Sequence, residues 1–226
     1  QPKIHAEWAH DSFEHAGAAG GFIDRYGYPF CRGRMLNVLE KDQGQYDTVR
    51  SLFWATGAAL LVRPADWNAV GGFDARFFAH FEEIDFCWRL RARARKIVCI
   101  TDSVVYHVGG GTLPADNPRK TYLNFRNSLT MLYKNLPDDE LQHVLSVRKW
   151  LDAMAWFKFF VSGDFANAKA VRRARKDFHK WKHQFDPERK KNLENTTLFD
   201  IPERIQRSLI YAFYVQGKKT FAQFMS

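Results

Sequence analysis

Glycine and proline punctuate this 226-residue chain unevenly, and the unevenness constrains its folding more than any other feature. The first fifty residues carry turn-forming stretches such as "HAGAAGGFIDRYGYPFCRGR", which read as irregular, loop-rich backbone. From "ADNPRKTYLNFRNSLTMLYKNLP" onward the pattern turns helical, with Asn117 placed to cap and Pro118 to open the first helix, and with breaks at Pro137, Gly163, Pro187 and Pro202. A soft boundary therefore falls near Leu136 and Pro137. Residues 1–136 read as an α/β region and 137–226 as a mainly helical extension, with no internal repeat.

Between those ends, "SLFWATGAALLVRP" reads as a buried strand broken near Gly57, and "PADWNAV" as a short helix opened by Pro64 and stopped by Gly71 and Gly72. Glu82 to about Arg95 suits a helix with acid at its start and base at its end, and it places Asp85 and Arg89 one turn apart. "KIVCITDSVVYHVGGG" predicts two short strands about a turn at Thr101 and Asp102, ending in three glycines, Gly109 to Gly111.

Lys and Arg outnumber Asp and Glu by 34 to 25, so an anionic partner is expected: a phosphate, nucleic acid or an acidic membrane face. A hydrophobic share of 46% is enough for a sizeable core and excludes a disordered chain. Cys31, Cys87 and Cys99 form no CxxC pair and are odd in number, which points to a reducing compartment, the cytoplasm, rather than to a disulfide framework. The longest apolar run, "WLDAMAWFKFFV", contains Asp152 and Lys158 and falls short of the roughly 20 residues that a membrane span needs. The N-terminus shows no basic-then-apolar signal segment and no initiating Met, which leads us to expect a piece of a longer protein.

Against this basic background "HFEEIDFCWRL" sets Glu82, Glu83 and Asp85 inside an apolar frame. Carboxylates among apolar side chains are costly unless paired, exposed or used to cap a helix. Those three readings stand beside a catalytic one.

The string from Trp54 to Thr112 resembles the second half of the catalytic domain of family-2 glycosyltransferases, the inverting nucleotide-sugar enzymes of the GT-A fold. The resemblance covers roughly residues 1–136 and is densest from Trp54 to Asn127. It follows the family's order: "TGA" at Thr56–Ala58, "GGFD" at Gly71–Asp74, "FF" at Phe77 and Phe78, the acidic motif at Glu82–Asp85, Arg89, "VYH" ending at His107, and "RN" at Arg126 and Asn127. The implied fold class is α/β, a partial GT-A domain lacking its N-terminal nucleotide-binding half, followed by the helical extension.

An inverting transferase needs one carboxylate to take the proton of an acceptor hydroxyl as that oxygen attacks the anomeric carbon. The resemblance carries this role to Glu83, where the family more often has Asp. It gives Glu82 and Asp85 supporting roles, with Asp85 paired to Arg89, and makes His107 a ligand of the divalent cation, Mn²⁺ or Mg²⁺, that holds the diphosphate. Taken without the resemblance, a lone strand histidine is more often structural. Trp54, Thr56, Gly57, Ala58, Arg89, Gly110, Gly111 and Arg126 form the implied substrate-binding set. Core packing rivals that role for Trp54; Arg126 and Asn127 read as bracing the site from the following helix, or else as lying plainly on the helix surface. The loop "GGGTLPADNPRK" would close over the donor, with Arg119 or Lys120 meeting phosphate, or else is an ordinary turn.

The family's Asp-x-Asp, which supplies further metal ligands, does not occur in this chain. The implied function is therefore that of the acceptor side of a metal-dependent transferase, inactive by itself, using a nucleotide-sugar donor and a saccharide or lipid-linked acceptor in cell-surface polysaccharide synthesis. The rival class is a non-catalytic scaffold that keeps this fold and is recruited to membranes. Arg172 to Lys191 carries nine Lys or Arg against three acids, with Phe178, Trp181 and Phe185 on one stripe. That pattern reads either as a helix docking its stripe on the core or as a contact with anionic lipid on the inner face of the cell membrane. A nucleic-acid partner is not expected, since no module for one surrounds the segment.

Overall fold

The structure, a computed structural model, describes residues 1–109 and 117–226. The strands are β1 (Pro2–Ala6), β2 (Ala9–Phe13), β3 (Gly21–Asp24), β4 (Pro29–Cys31), β5 (Arg34–Met35), β6 (Val38–Leu39), β7 (Ile100–His107) and β8 (Arg204–Ile205). The helices are α1 (Pro64–Val70), α2 (Glu82–Ala92), α3 (Pro118–Asn135), α4 (Asp138–Val161), α5 (Phe165–Trp181), α6 (Asp186–Glu194), α7 (Leu209–Tyr214) and α8 (Phe221–Met225). Two compact units emerge, neither continuous in sequence. One comprises residues 1–72, 86–109 and 197–226; the other comprises 73–85 and the described residues of 110–196.

The first unit holds both sheets. β1 lies between β2, antiparallel, and β7, parallel, while the second sheet runs β6-β5-β4-β3-β8 with β8 parallel to β3. The first fifty residues are thus strands and tight turns rather than loop; at two to five residues each, such strands are too short to show an alternating pattern. The two strands expected from Lys96 to His107 are one, Ile100–His107. Pro2 pairs with Ile100 and Lys3 with Val104, so the turn signal at Thr101 and Asp102 is spent on a bulge within a single strand.

The strand expected across "SLFWATGAALLVRP" does not form. Phe53 and Trp54 both donate their amides to Gly21 O, at 2.9 and 3.2 Å, and the chain then tightens into a 3-10 turn at Gly57–Ala59. The indole of Trp54 lies flat against Gly21 and donates from Nε1 to Phe22 O at 2.9 Å, which buries this side chain in the core. Pro64 opens α1, and Gly71 closes it in the left-handed conformation at φ 79°.

Residues 197–226 do not continue the helical extension. β8 joins β3, and Phe221 and Phe224 of α8 pack against Phe22 and Phe30 at ring separations of 5.0 Å. A stack of buried aromatic rings returns the C-terminus to the first unit. The division therefore falls elsewhere than at residue 136.

The second unit is a helical layer in which α3 packs on α5 and α6. Asn117 accepts from Arg119 N at 2.8 Å and Pro118 occupies the first turn of α3, as their sequence predicts. The aromatic stripe of residues 172–191 docks inward: Phe178 and Phe185 are buried, and Trp181 lies under the Arg126 guanidinium, 4.8 Å from the ring centre. Phe178 and Phe185 are spent on packing, and Lys180 between them faces outward.

A Cβ added at Gly21 would sit 2.1 Å from the Trp54 ring, inside rigid aromatic packing. Gly21→Ala is expected to lower stability by about 1–3 kcal/mol. A urea midpoint equal to that of the parent would refute this packing.

Candidate functional site

The acidic motif lies at the start of α2, at the end of a tightly turned segment in the second unit. Phe78, His80 and Phe81 all adopt positive φ, at 68°, 68° and 72°. Three non-glycine residues in that region within four positions cost on the order of 1–2 kcal/mol each, so something must hold them there.

Arg126 and Asn127 of α3 supply the hold. Arg126 donates to Arg76 O and Phe77 O at 3.1 and 3.0 Å, and its Nε meets Asn127 Oδ1 at 2.8 Å. Asn127 Nδ2 lies 3.0, 2.9 and 2.7 Å from the carbonyls of Phe77, Ala79 and His80. Both side chains are buried. Arg126 and Asn127 thus brace the segment rather than lie on the helix surface.

A second anchor clamps both ends of the segment. Lys134, buried on α3, donates to Asp74 Oδ2 and to Asp85 Oδ2, each at 2.9 Å, and Asn135 Nδ2 meets Asp85 Oδ1 at 2.8 Å. Asp85 is fully buried. It serves to fix the start of α2 and is out of reach of a substrate, so its place in the catalytic set is withdrawn.

Glu82 and Glu83 remain, both half-buried in the first turn of the helix. Burial pushes the Glu82 carboxyl up from its ordinary range, and its Oε2 has no hydrogen-bond partner among the described residues. Burial, assisted by the charge of Lys120, holds His80 below the ordinary imidazole value and favours its neutral form. Beside them Phe78 is exposed, with the Arg119 guanidinium over its ring at 4.6 Å. The patch offers a carboxylate pair, an aromatic face and a cation.

In the first unit, His107 closes β7 and Glu14 follows β2. His107 Nδ1 lies 3.0 Å from Glu14 Oε2, and Glu14 is itself held by Ala16 N at 2.7 Å. With Nδ1 taken up by Glu14 and by the Gly109 amide at 3.2 Å, Nε2 is the ring nitrogen left to meet a ligand. Among the described residues no group of three His, Cys, Asp or Glu could enclose a metal ion. The residues present therefore fit a contributing ligand with its orienting partner, not a complete cage.

The other expected contacts in this unit divide by exposure. Trp54 is core, and Arg89 is buried with its guanidinium on Val70 O and, at 2.8 Å, Gly72 O, so neither faces a ligand. Thr56 is buried, accepting from Ala58 N at 3.2 Å, while Gly57 and Ala58 are exposed. Gly110 and Gly111 lie outside the described residues. Sequence reading missed Glu14 and Lys134, which stand 93 and 49 residues from the groups they hold. No local pattern signals either pairing.

Two outcomes test the anchoring. Asn127→Ala removes the contacts to Ala79 O and His80 O, leaves Phe77 O to Arg126, and is expected to cost about 1–3 kcal/mol of stability; an unchanged melting temperature would refute the brace. For Asp74, burial works against ionisation, but the Arg76 hydrogen bond and the Lys134 charge prevail and hold the carboxyl well below its usual range. A depressed carboxylate adds stability above its unfolded value, near 4, that is lost as pH falls below it. Melting temperature should therefore drop from about pH 5 to pH 2, and Asp74→Asn should flatten that slope while lowering stability at neutral pH.

No family model matches the chain, and no solved structure does. Over 103 residues, 46% of the chain, it is 26% identical to the O-antigen biosynthesis protein RfbC of Myxococcus xanthus. The match spans 8% of that relative's length.

Proposed function

We infer that this chain forms the acceptor side of an inverting glycosyltransferase of family 2, with GT-A architecture, that moves a sugar from a nucleotide-sugar donor to a saccharide or lipid-linked acceptor in polysaccharide biosynthesis. The likeness to an O-antigen biosynthesis protein supports the process. The observation that carries the chemistry is the strained segment at Phe78–Phe81, braced by Arg126 and Asn127, which delivers Glu82 and Glu83 at the head of a helix. Backbone strain of this kind is kept where a side chain must be held in one place.

Glu83 takes the acceptor proton while the hydroxyl oxygen attacks the anomeric carbon from the side opposite the leaving nucleoside diphosphate. Glu82, whose charge burial disfavours, is suited to hydrogen-bond the acceptor beside it. Exposed Phe78 offers a flat apolar face on which a sugar ring can stack. His107, turned by Glu14, would hold the divalent cation through Nε2. A bound Mn²⁺ or Mg²⁺ supplies charge neutralisation for the diphosphate.

The test is sugar transfer by the full-length protein and its Glu83→Gln variant, with Mn²⁺ and a panel of nucleotide sugars. The parent is expected to release nucleoside diphosphate only when acceptor is present, and the variant to lose about a hundredfold or more of that rate. Equal rates would make Glu83 structural and turn attention to Glu82.

A further inference from the structure

The last three turns of α4 present an apolar stripe to solvent. Trp150, Met154, Phe157 and Val161 follow one another at spacings of four, three and four, which places them on one helical face. They are 72%, 63%, 58% and 63% exposed. Isolated exposed apolar residues need no explanation, but four in register do. Phe160 and Phe165, also exposed, extend the patch around the turn into α5.

Cations border it. Phe160 and Phe165 line a groove of about 540 Å³ between α4 and α5 together with Lys169, Arg172, Arg173 and Lys176, and no acid lines that groove. The two acids between Lys149 and Lys176 are used inside the fold. Asp152 is fully buried between Arg148 and Arg175, and Asp164 caps α5 by accepting from Asn167 N at 3.1 Å. The surface therefore combines an uncovered aromatic stripe with a border of four cations, of which Arg173 is paired with Asp177 at 3.5 Å.

We propose that this face of α4 and the α4–α5 groove dock on an anionic lipid bilayer, with Trp150, Met154, Phe157 and Val161 entering the headgroup boundary and the α5 cations meeting lipid phosphates. Charge complementarity selects this occupant. A second copy of the chain would bring like charges together, and a nucleic acid would leave the aliphatic members of the stripe in water. The stripe rises about 17 Å along the helix, well short of the roughly 30 Å hydrocarbon layer. Among the described residues no helix is long and apolar enough to cross a membrane. Contact in the plane of the interface is what such a helix can make. The proposal is independent of the glycosyltransferase reading.

Co-sedimentation with vesicles of phosphatidylcholine alone and of phosphatidylcholine mixed with anionic phosphatidylglycerol tests it. The parent is expected to bind the anionic vesicles at least about tenfold more tightly than the neutral ones, and to release them at high salt. Trp150→Ser with Phe157→Ser should lose about tenfold of that affinity, through apolar area alone. Arg172→Glu with Arg173→Glu should abolish the preference for anionic lipid. Circular dichroism of each variant separates loss of docking from loss of fold, since these side chains are exposed. Absence of vesicle binding by the parent, parent-like binding by both folded variants, comparable binding to a single-stranded oligonucleotide, or a dimer that the stripe variant dissolves would each overturn the proposal.

Discussion

A single buried ammonium organises the second unit. Lys134 sits between Asp74 and Asp85, one carboxylate from each end of a short segment, and all three groups are withdrawn from water. An unpaired ammonium there would cost several kcal/mol. Asp74 is held by Arg76 as well, at 2.7 Å, so the lysine depends on its two carboxylates more than Asp74 depends on the lysine. Asn135 completes the shell on Asp85, and Asn192 in turn meets Asn135 Oδ1 at 3.1 Å, which carries the network on to α6.

Fixing Asp74 and Asp85 on the same lysine leaves the chain between them little room. It must reverse within a few residues, and it does so by placing Phe78, His80 and Phe81 in conformations that side chains normally avoid. The four N–H groups of Arg126 Nη2 and Asn127 Nδ2, shared among the carbonyls of Arg76, Phe77, Ala79 and His80, offset this strain at about 1 kcal/mol each. The consequence for chemistry is rigidity. Glu82 and Glu83 emerge from a segment whose ends are clamped and whose middle is hydrogen-bonded, so their position is set before any ligand arrives.

Surface and core in the helical unit are divided by the same logic of partners. The segment from Arg172 to Lys191 looks amphipathic, and it spends its aromatic side on packing: Phe178 and Phe185 fill the core and Trp181 receives Arg126. α4 does the reverse. Its first half buries Leu141, Val144 and Arg148, while its last turns leave their largest apolar side chains in solvent. One helix is basic outside and apolar inside; its neighbour keeps an apolar face unspent.

Near-neighbour chemistry in the sequence determined much of this. Asn117 and Pro118 specify where α3 begins, Pro64 and Gly71 bound α1, and the acids before the bases in Glu82–Arg91 suit the polarity of α2. The second unit holds Glu83, Arg126 and Asn127. Tertiary structure alone decided the rest. It brought Lys134 to an aspartate whose legible partner was Arg89, four residues away; it set Glu14 on His107; it made one bulged strand of Ile100–His107; and it returned residues 197–226 to the first unit. Caps and helical periods are written within one or two turns of chain, where side chains meet their own neighbours whatever the fold. Ion pairs, parallel strands and aromatic stacks join residues far apart in sequence, and their partners exist only once the chain has closed on itself.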